Sequence, residues 1–222
     1  MTALEQLAPR MPNGAEDLAR MSHPVGRLVG MTQNLLAVYR RAADLAVEVV
    51  ERVQPDQLGD ATPCTEWNVR TLINHVVSGN LFFVHLATGS TPPGRGIDHL
   101  GSKPLSVFRD SVHAVSAAFE ADGFLDRVVT APFGEVPGRQ LVEIRRNELT
   151  VHGWDLARAT GQSTDFDPEV IAACLASYTA SPLLQDRADA PFEVEEPAPP
   201  GATDADRLAA FLGRKVQGAD HG

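Results

Sequence analysis

The chain has 222 residues, 43% of them hydrophobic and 22% charged, which is enough for one substantial core. Its formal charge is −10 and its basic residues are scattered, so it lacks the concentrated positive face that nucleic-acid binding requires. Two cysteines, Cys64 and Cys174, make no disulfide framework. With no signal pattern at the N-terminus, they predict a reduced, cytoplasmic protein.

Residues 1–22 mix proline, glycine and charge with little periodicity and read as a flexible N-terminal arm. Residues 23–222 read as a single domain with a proline-rich C-terminal extension. From about Gly26 to Val53, Leu28, Met31, Leu35, Val38, Ala42, Leu45 and Val49 recur at helical spacing, and Pro55 closes the helix. A second helix is expected to start at Thr65 as N-cap, with Glu66 in its first turn and Gly89 just past its end. Residues 71–94 carry no Asp, Glu, Lys or Arg, yet Asn74, His75, Ser78, Asn80 and His85 are too polar for a lipid-facing span. The stretch predicts a buried helix, and no membrane partner.

A Gly/Pro-rich loop leads to a third helix over about Leu105–Ala121, and "FGEVPGRQ" reads as a turn-rich connector. The stretch "NELTVHGWDLARATG" continues a fourth helix that ends at Gly161. A further helix is expected near Pro168–Thr179, then the extended "APFEVEEPAPPGATD" and a short helix, "DADRLAAFLGRK", capped by Asp204. No segment alternates strongly enough to predict a sheet. The expected fold is all-α: a four-helix bundle with the short C-terminal helix packed outside.

The fourth helix carries an unusual line of side chains. With Glu148 as the zero of a wheel turning about 100° per residue, Leu141, Ile144, Val151, His152, Asp155 and Ala159 share its face. Glu143, Arg146, Thr150 and Ala157 lie opposite and predict a solvent face. A buried carboxylate without a partner is costly, and a divalent metal would remove the cost. Glu148 and His152, one turn apart, place two donor atoms on one side of the helix; a structural Glu–His contact is the competing reading. On the second helix His75 stands alone on an apolar stripe with Asn68, Thr71, Leu72, Gly79, Phe82 and Leu86, and Gly79 allows a close helix approach. Imidazoles and carboxylates on facing helices are how bundles build metal sites.

"CTEWNVRTLINHVV" together with "RNELTVHGWDLARATG" resembles the DinB/YfiT-like metal-binding helical bundles, and among them the actinobacterial branch that includes mycothiol-dependent maleylpyruvate isomerase. The resemblance spans about Val25 to Gly161, and the tail "DADRLAAFLGR" is also similar to small members of that branch. It implies three metal ligands at His75, Glu148 and His152 and a divalent ion, most often zinc, with nickel or iron as alternatives. It also implies a low-molecular-weight thiol such as mycothiol as cosubstrate, attacking an electrophilic small molecule in an isomerase or S-transferase reaction. Two features depart from the isomerase proper. That enzyme has a further C-terminal domain, where this chain continues for about 60 proline-rich residues after Gly161, and its substrate-binding residues have no counterpart in this tail.

Other residues carry two readings each. Asp155 either orients a ligating imidazole or forms a salt bridge to Arg158 or Arg145. Arg145 is expected to be solvated, with an anion-binding role as the alternative. Cys64 is expected to be a buried packing residue, with a reactive thiol or fourth ligand as the alternative. His85 lies some 80° off the line of His75 and is a fallback ligand; His23, His99, His113 and His221 read as spectators. Trp67 and Trp154 are expected to pack between helices, and Trp154 could also wall a pocket. The competing functions are a non-enzymatic metal-binding sensor or partner-binding bundle, and a plain bundle whose polar cluster is structural. A homodimer is left open.

Overall fold

The structure, a computed structural model, describes residues 25–65, 67–94, 96–181 and 193–216, with side chains from Asn34 onward. The N-terminal arm, Glu66, His23 and His221 lie outside the described residues. Apolar spacing produces helix α1 (Val25–Glu51), which buries Val38, Ala42, Ala46, Val49 and Val50 before a 3-10 turn at Pro55–Gly59. Helix α2 (Val69–Thr88) ends at Gly89 in the left-handed region, φ 71°, as expected. Its N-cap is Asn68 rather than Thr65: the Asn68 side chain accepts from the Thr71 amide at 2.8 Å. Thr65 is excluded because the Thr62 hydroxyl donates to the carbonyls of Cys64 and Trp67, and Ala61 pairs with Asn68, so the chain stays in a tight turn up to that point.

Helix α3 (Pro104–Glu120) starts with proline in its first turn. After it comes an element that the alternation rule missed, an antiparallel hairpin of β1 (Val128–Ala131) and β2 (Gly134–Pro137), with Val129 opposite Val136. Each strand has only four residues, too few for alternation to stand out, although Val128, Val129 and Thr130 are strand-favouring types. Then follow α4 (Gly138–Ala159), α5 (Pro168–Thr179) and α6 (Asp204–Phe211). Thr203, not Asp204, caps α6: its hydroxyl accepts from the Asp206 amide at 3.0 Å, and Asp206 accepts from the Thr203 amide at 3.2 Å. Asp204 stands one residue further on and pairs with Arg207 instead.

The four long helices pack in the order α1–α4–α2–α3, closing back on α1. The fold is mostly helical, a DinB-like bundle with the small hairpin appended. Tyr39, Phe83, Phe119 and Phe124 meet in its core, mostly edge to face, with ring centroids 5.3–6.1 Å apart. Helix α5 lies on α1 and α4, and α6 closes on α5 and α4. The wheel assignment of a solvent face on α4 is therefore corrected. Arg146, Thr150 and Ala157 are buried, because α5 and α6 cover the side of α4 that a four-helix bundle would leave to water. Arg146 is satisfied there by the Asn147 side chain and the Ala173 carbonyl. Among the described residues no helix is long and apolar enough to cross a membrane.

Candidate functional site

Helices α2 and α4 bring His75 and His152 together. Their rings meet edge to face with centroids 5.1 Å apart. The turn before α2 supplies a third ring: Trp67 stacks on His75 at 4.2 Å, with 27° between planes, and stands 6.1 Å from His152. Burial of His75, reinforced by electrostatic interaction with His152 and Arg145, lowers its pKa to about 2. It is a neutral imidazole at any ordinary pH, and its buried Nε2 has no hydrogen-bond partner.

Glu148 lies one turn before His152 and is 5% exposed. Its Oε2 accepts from Nη1 of Arg145 at 2.9 Å, while its Oε1 is buried and has no hydrogen-bond partner. The reading of Arg145 as a solvated side chain is overturned, since it is completely buried. Gly79 makes room for it: a Cβ at that position would collide with Nη1 of Arg145. The guanidinium also donates to the Val76 carbonyl at 3.2 Å and lies 5.8 Å from the centre of the Phe83 ring. Burial lowers the pKa of Arg145, and the Glu148 carboxylate works against that shift.

Asp155 touches an imidazole and forms a salt bridge, but to a cation other than the two expected. Its Oδ2 lies 3.1 Å from Nδ1 of His152, and it is clamped by Arg214, Nε to Oδ1 at 3.3 Å and Nη2 to Oδ2 at 3.2 Å. Neither Arg158 nor Arg145 is the partner seen. Burial alone would raise the Asp155 pKa, but Arg214 and His152 overcome it and hold the carboxyl below the usual range. Arg214 was missed by sequence reasoning, because nothing in a periodic pattern reports that residue 214 folds back onto residue 155.

Cys64 is half-exposed rather than buried, in the same tight turn that carries Trp67. Trp154 packs between helices and lines a small internal void of about 10 Å³ with Thr150, Val151, Ile171 and Leu208; it is 2% exposed and its indole N–H donates to Asp206 at 2.8 Å, beneath α6. His85 turns its Nδ1 toward the Ser90 carbonyl and lines a cavity of about 340 Å³ with Arg127 and the start of β1, not the His75–His152 pair. Another cavity, of about 390 Å³, lies between Val53–Leu58 and Ser102–Ser106, also away from the two imidazoles.

Of the three expected ligands, the two imidazoles face each other and the carboxylate turns one oxygen to Arg145. Among the described residues, no three His, Cys, Asp or Glu side chains are already arranged to hold a metal ion. The donor chemistry nonetheless suits one. Two buried polar atoms, Nε2 of His75 and Oε1 of Glu148, lack hydrogen-bond partners, and Asp155 engages Nδ1 of His152, not its Nε2.

Residues 39–157 match the family described as the mycothiol maleylpyruvate isomerase N-terminal domain. The uncharacterized proteins Rv0738 and MT0763, from two strains of Mycobacterium tuberculosis, are each 38% identical to the chain over 183 residues, 82% of this chain and 98% of the relative. Two crystal structures of the mycothiol-dependent maleylpyruvate isomerase, one of a histidine-to-alanine mutant, share the fold. The mutant aligns with TM-score 0.54 and 16% identity, the other with 0.51 and 17%, each over 67% of this chain and 69% of that one. The chain belongs to the mycothiol maleylpyruvate isomerase N-terminal domain family.

Proposed function

We propose that the chain is a metal-dependent enzyme of the cytoplasm. It would use a low-molecular-weight thiol of the mycothiol kind to isomerise an electrophilic small molecule, or to join the whole thiol to it through sulfur. His75, Glu148 and His152 would hold the divalent ion, with zinc the first choice and nickel or iron the alternatives. The observation that carries the reading is the facing pair of imidazoles from α2 and α4, with Nε2 of His75 and, on α4, Oε1 of Glu148 both buried without a partner. Buried polar atoms normally find partners, so an orphan on each of the two packed helices α2 and α4 supports a missing ligand.

When bound, such an ion acts as a Lewis acid that keeps a thiol in its thiolate form near neutral pH. The chain's own residues do the rest. Neutral His75 offers a lone pair without first losing a proton. Asp155 orients the His152 ring. Arg145, itself completely buried, compensates the charge of the Glu148 carboxylate, 5% exposed. Trp67 covers the His75 ring face and restricts approach from that side.

The test is elemental analysis of the purified protein, followed by thermal-shift titration with mycothiol in the presence and absence of zinc. Stoichiometric metal, and stabilisation by the thiol only when metal is bound, are the expected results. A protein that binds no divalent ion at millimolar concentration would overturn the reading. The Arg145–Glu148 ion pair favours a second reading, in which the polar cluster is structural and holds α2 against α4. In that case His152→Ala would leave metal content unchanged.

A further inference from the structure

The segment after α6 reaches back to Asp155, the carboxylate beside His152. Leu212 is fully buried, and Gly213, at φ 85°, turns the chain so that the Arg214 amide bonds the Ala209 carbonyl at 3.0 Å. The Arg214 side chain, 12% exposed, then runs inward and meets both oxygens of the completely buried Asp155. A side chain at Gly213 would collide with Glu193, so the direction of this turn is built into the packing of 193–196 against the end of α6.

We propose that Arg214 is a positioning residue for His152, acting through Asp155, so that the segment after α6 is part of the site rather than an outlying extension. The inference rests on the metal-site reading for its consequence but not for its geometry. A carboxylate held from one side only can rotate about its Cβ–Cγ bond. With Nε on Oδ1 and Nη2 on Oδ2, Arg214 fixes the carboxylate plane and leaves Oδ2 facing Nδ1 of His152 at 3.1 Å. The acceptor held there selects the tautomer with hydrogen on Nδ1, and the lone pair then sits on Nε2, the atom available to a metal. Two elements remote in sequence, α4 and the chain after α6, therefore set one ring between them.

The experiment compares the wild type with Arg214→Met, Arg214→Lys and Gly213→Ala, and uses Arg207→Met, an exposed partner of Asp204, as the control. Zinc affinity is measured by calorimetry, and the 15N shifts of the His152 ring are measured in the metal-free protein. Loss of Arg214 is expected to weaken zinc binding about 10–100-fold, the usual effect of removing an outer partner, with partial recovery in Arg214→Lys. The 15N shifts should move from the Nδ1–H tautomer toward a mixture in Arg214→Met and stay put in Arg207→Met. If Arg214→Met does not fold, Arg214→Lys and Gly213→Ala carry the test, each expected to give a smaller change in the same direction. Unchanged 15N shifts in the folded variants would overturn the proposal. A wild type that binds no zinc would sink the metal reading and leave the tautomer measurement to decide this one.

Discussion

His75 and His152 stand edge to face at 5.1 Å, one from α2 and one from α4, with Trp67 stacked on the first. If the pair holds an ion, either His75→Ala or His152→Ala should reduce zinc affinity by more than the about 10–100-fold expected for an outer partner. Calorimetric titration of the two variants measures this directly. Equal affinity in wild type and variants would remove both residues from the ligand set.

Trp67 is a natural reporter for the site. The chain has two tryptophans, and Trp154 is remote beneath α6, so Trp154→Phe isolates the Trp67 signal. Zinc added to that variant should change the intensity of Trp67 emission, since the indole lies 4.2 Å from the His75 ring. The same addition to a Trp67→Phe variant should give no change.

Gly79 and Arg145 share one volume. A methyl group at residue 79 must displace the buried guanidinium, so Gly79→Ala should destabilise the fold by about 1–3 kcal/mol through overpacking alone. Urea denaturation is the measurement. A neutral or stabilising result would mean that Arg145 has another place to go.

Removing Arg145 strands Glu148. Arg145→Met leaves a carboxylate that is 5% exposed without its cation, and breaking such a buried pair typically costs roughly 3–5 kcal/mol. The double variant Arg145→Met/Glu148→Gln should recover a large part of that loss, because no charge is left uncompensated. A double-mutant cycle reads the coupling; additive losses would show that the pair is not coupled.

Asp206 predicts a pH dependence of stability. Burial alone would raise its pKa, but the Trp154 indole, the Thr164 hydroxyl and Thr203 hydrogen-bond the ionised form and hold it below the usual carboxylate range. A carboxyl whose folded pKa is depressed adds stability that is present above its unfolded pKa and lost as pH falls through the folded one. Thermal melting should therefore show a loss beginning near pH 4 that is smaller in Asp206→Asn. Parallel profiles for the two proteins would contradict it.

The helical face carrying His75 and the line from Glu148 through His152 to Asp155 could be read from the sequence because both helices are long and the wheel is unambiguous over several turns. The same wheel misassigned Arg146, Thr150 and Ala157, since the periodicity of one helix says nothing about how many neighbours surround it. Arg145 escaped for the same reason: an arginine looks solvated until Gly79 and Phe83 are known to form its pocket. Arg214 was invisible in a different way. Its contact with Asp155 is purely tertiary, and only the turn at Gly213 and the seat of Leu212 create it.

The encirclement of α4 by α1, α2, α5 and α6 makes the two sides of the site mechanically unequal. Amides in a helix buried on every side exchange with solvent only when the whole protein opens, whereas short turn segments such as 60–65 and 67–68 can exchange through local excursions. Glu148 and His152 are thus mounted on an anvil, and adjustment to an incoming molecule falls to Trp67 and the turn that carries it. Hydrogen exchange should find that division between slow and fast backbone running through the middle of the site.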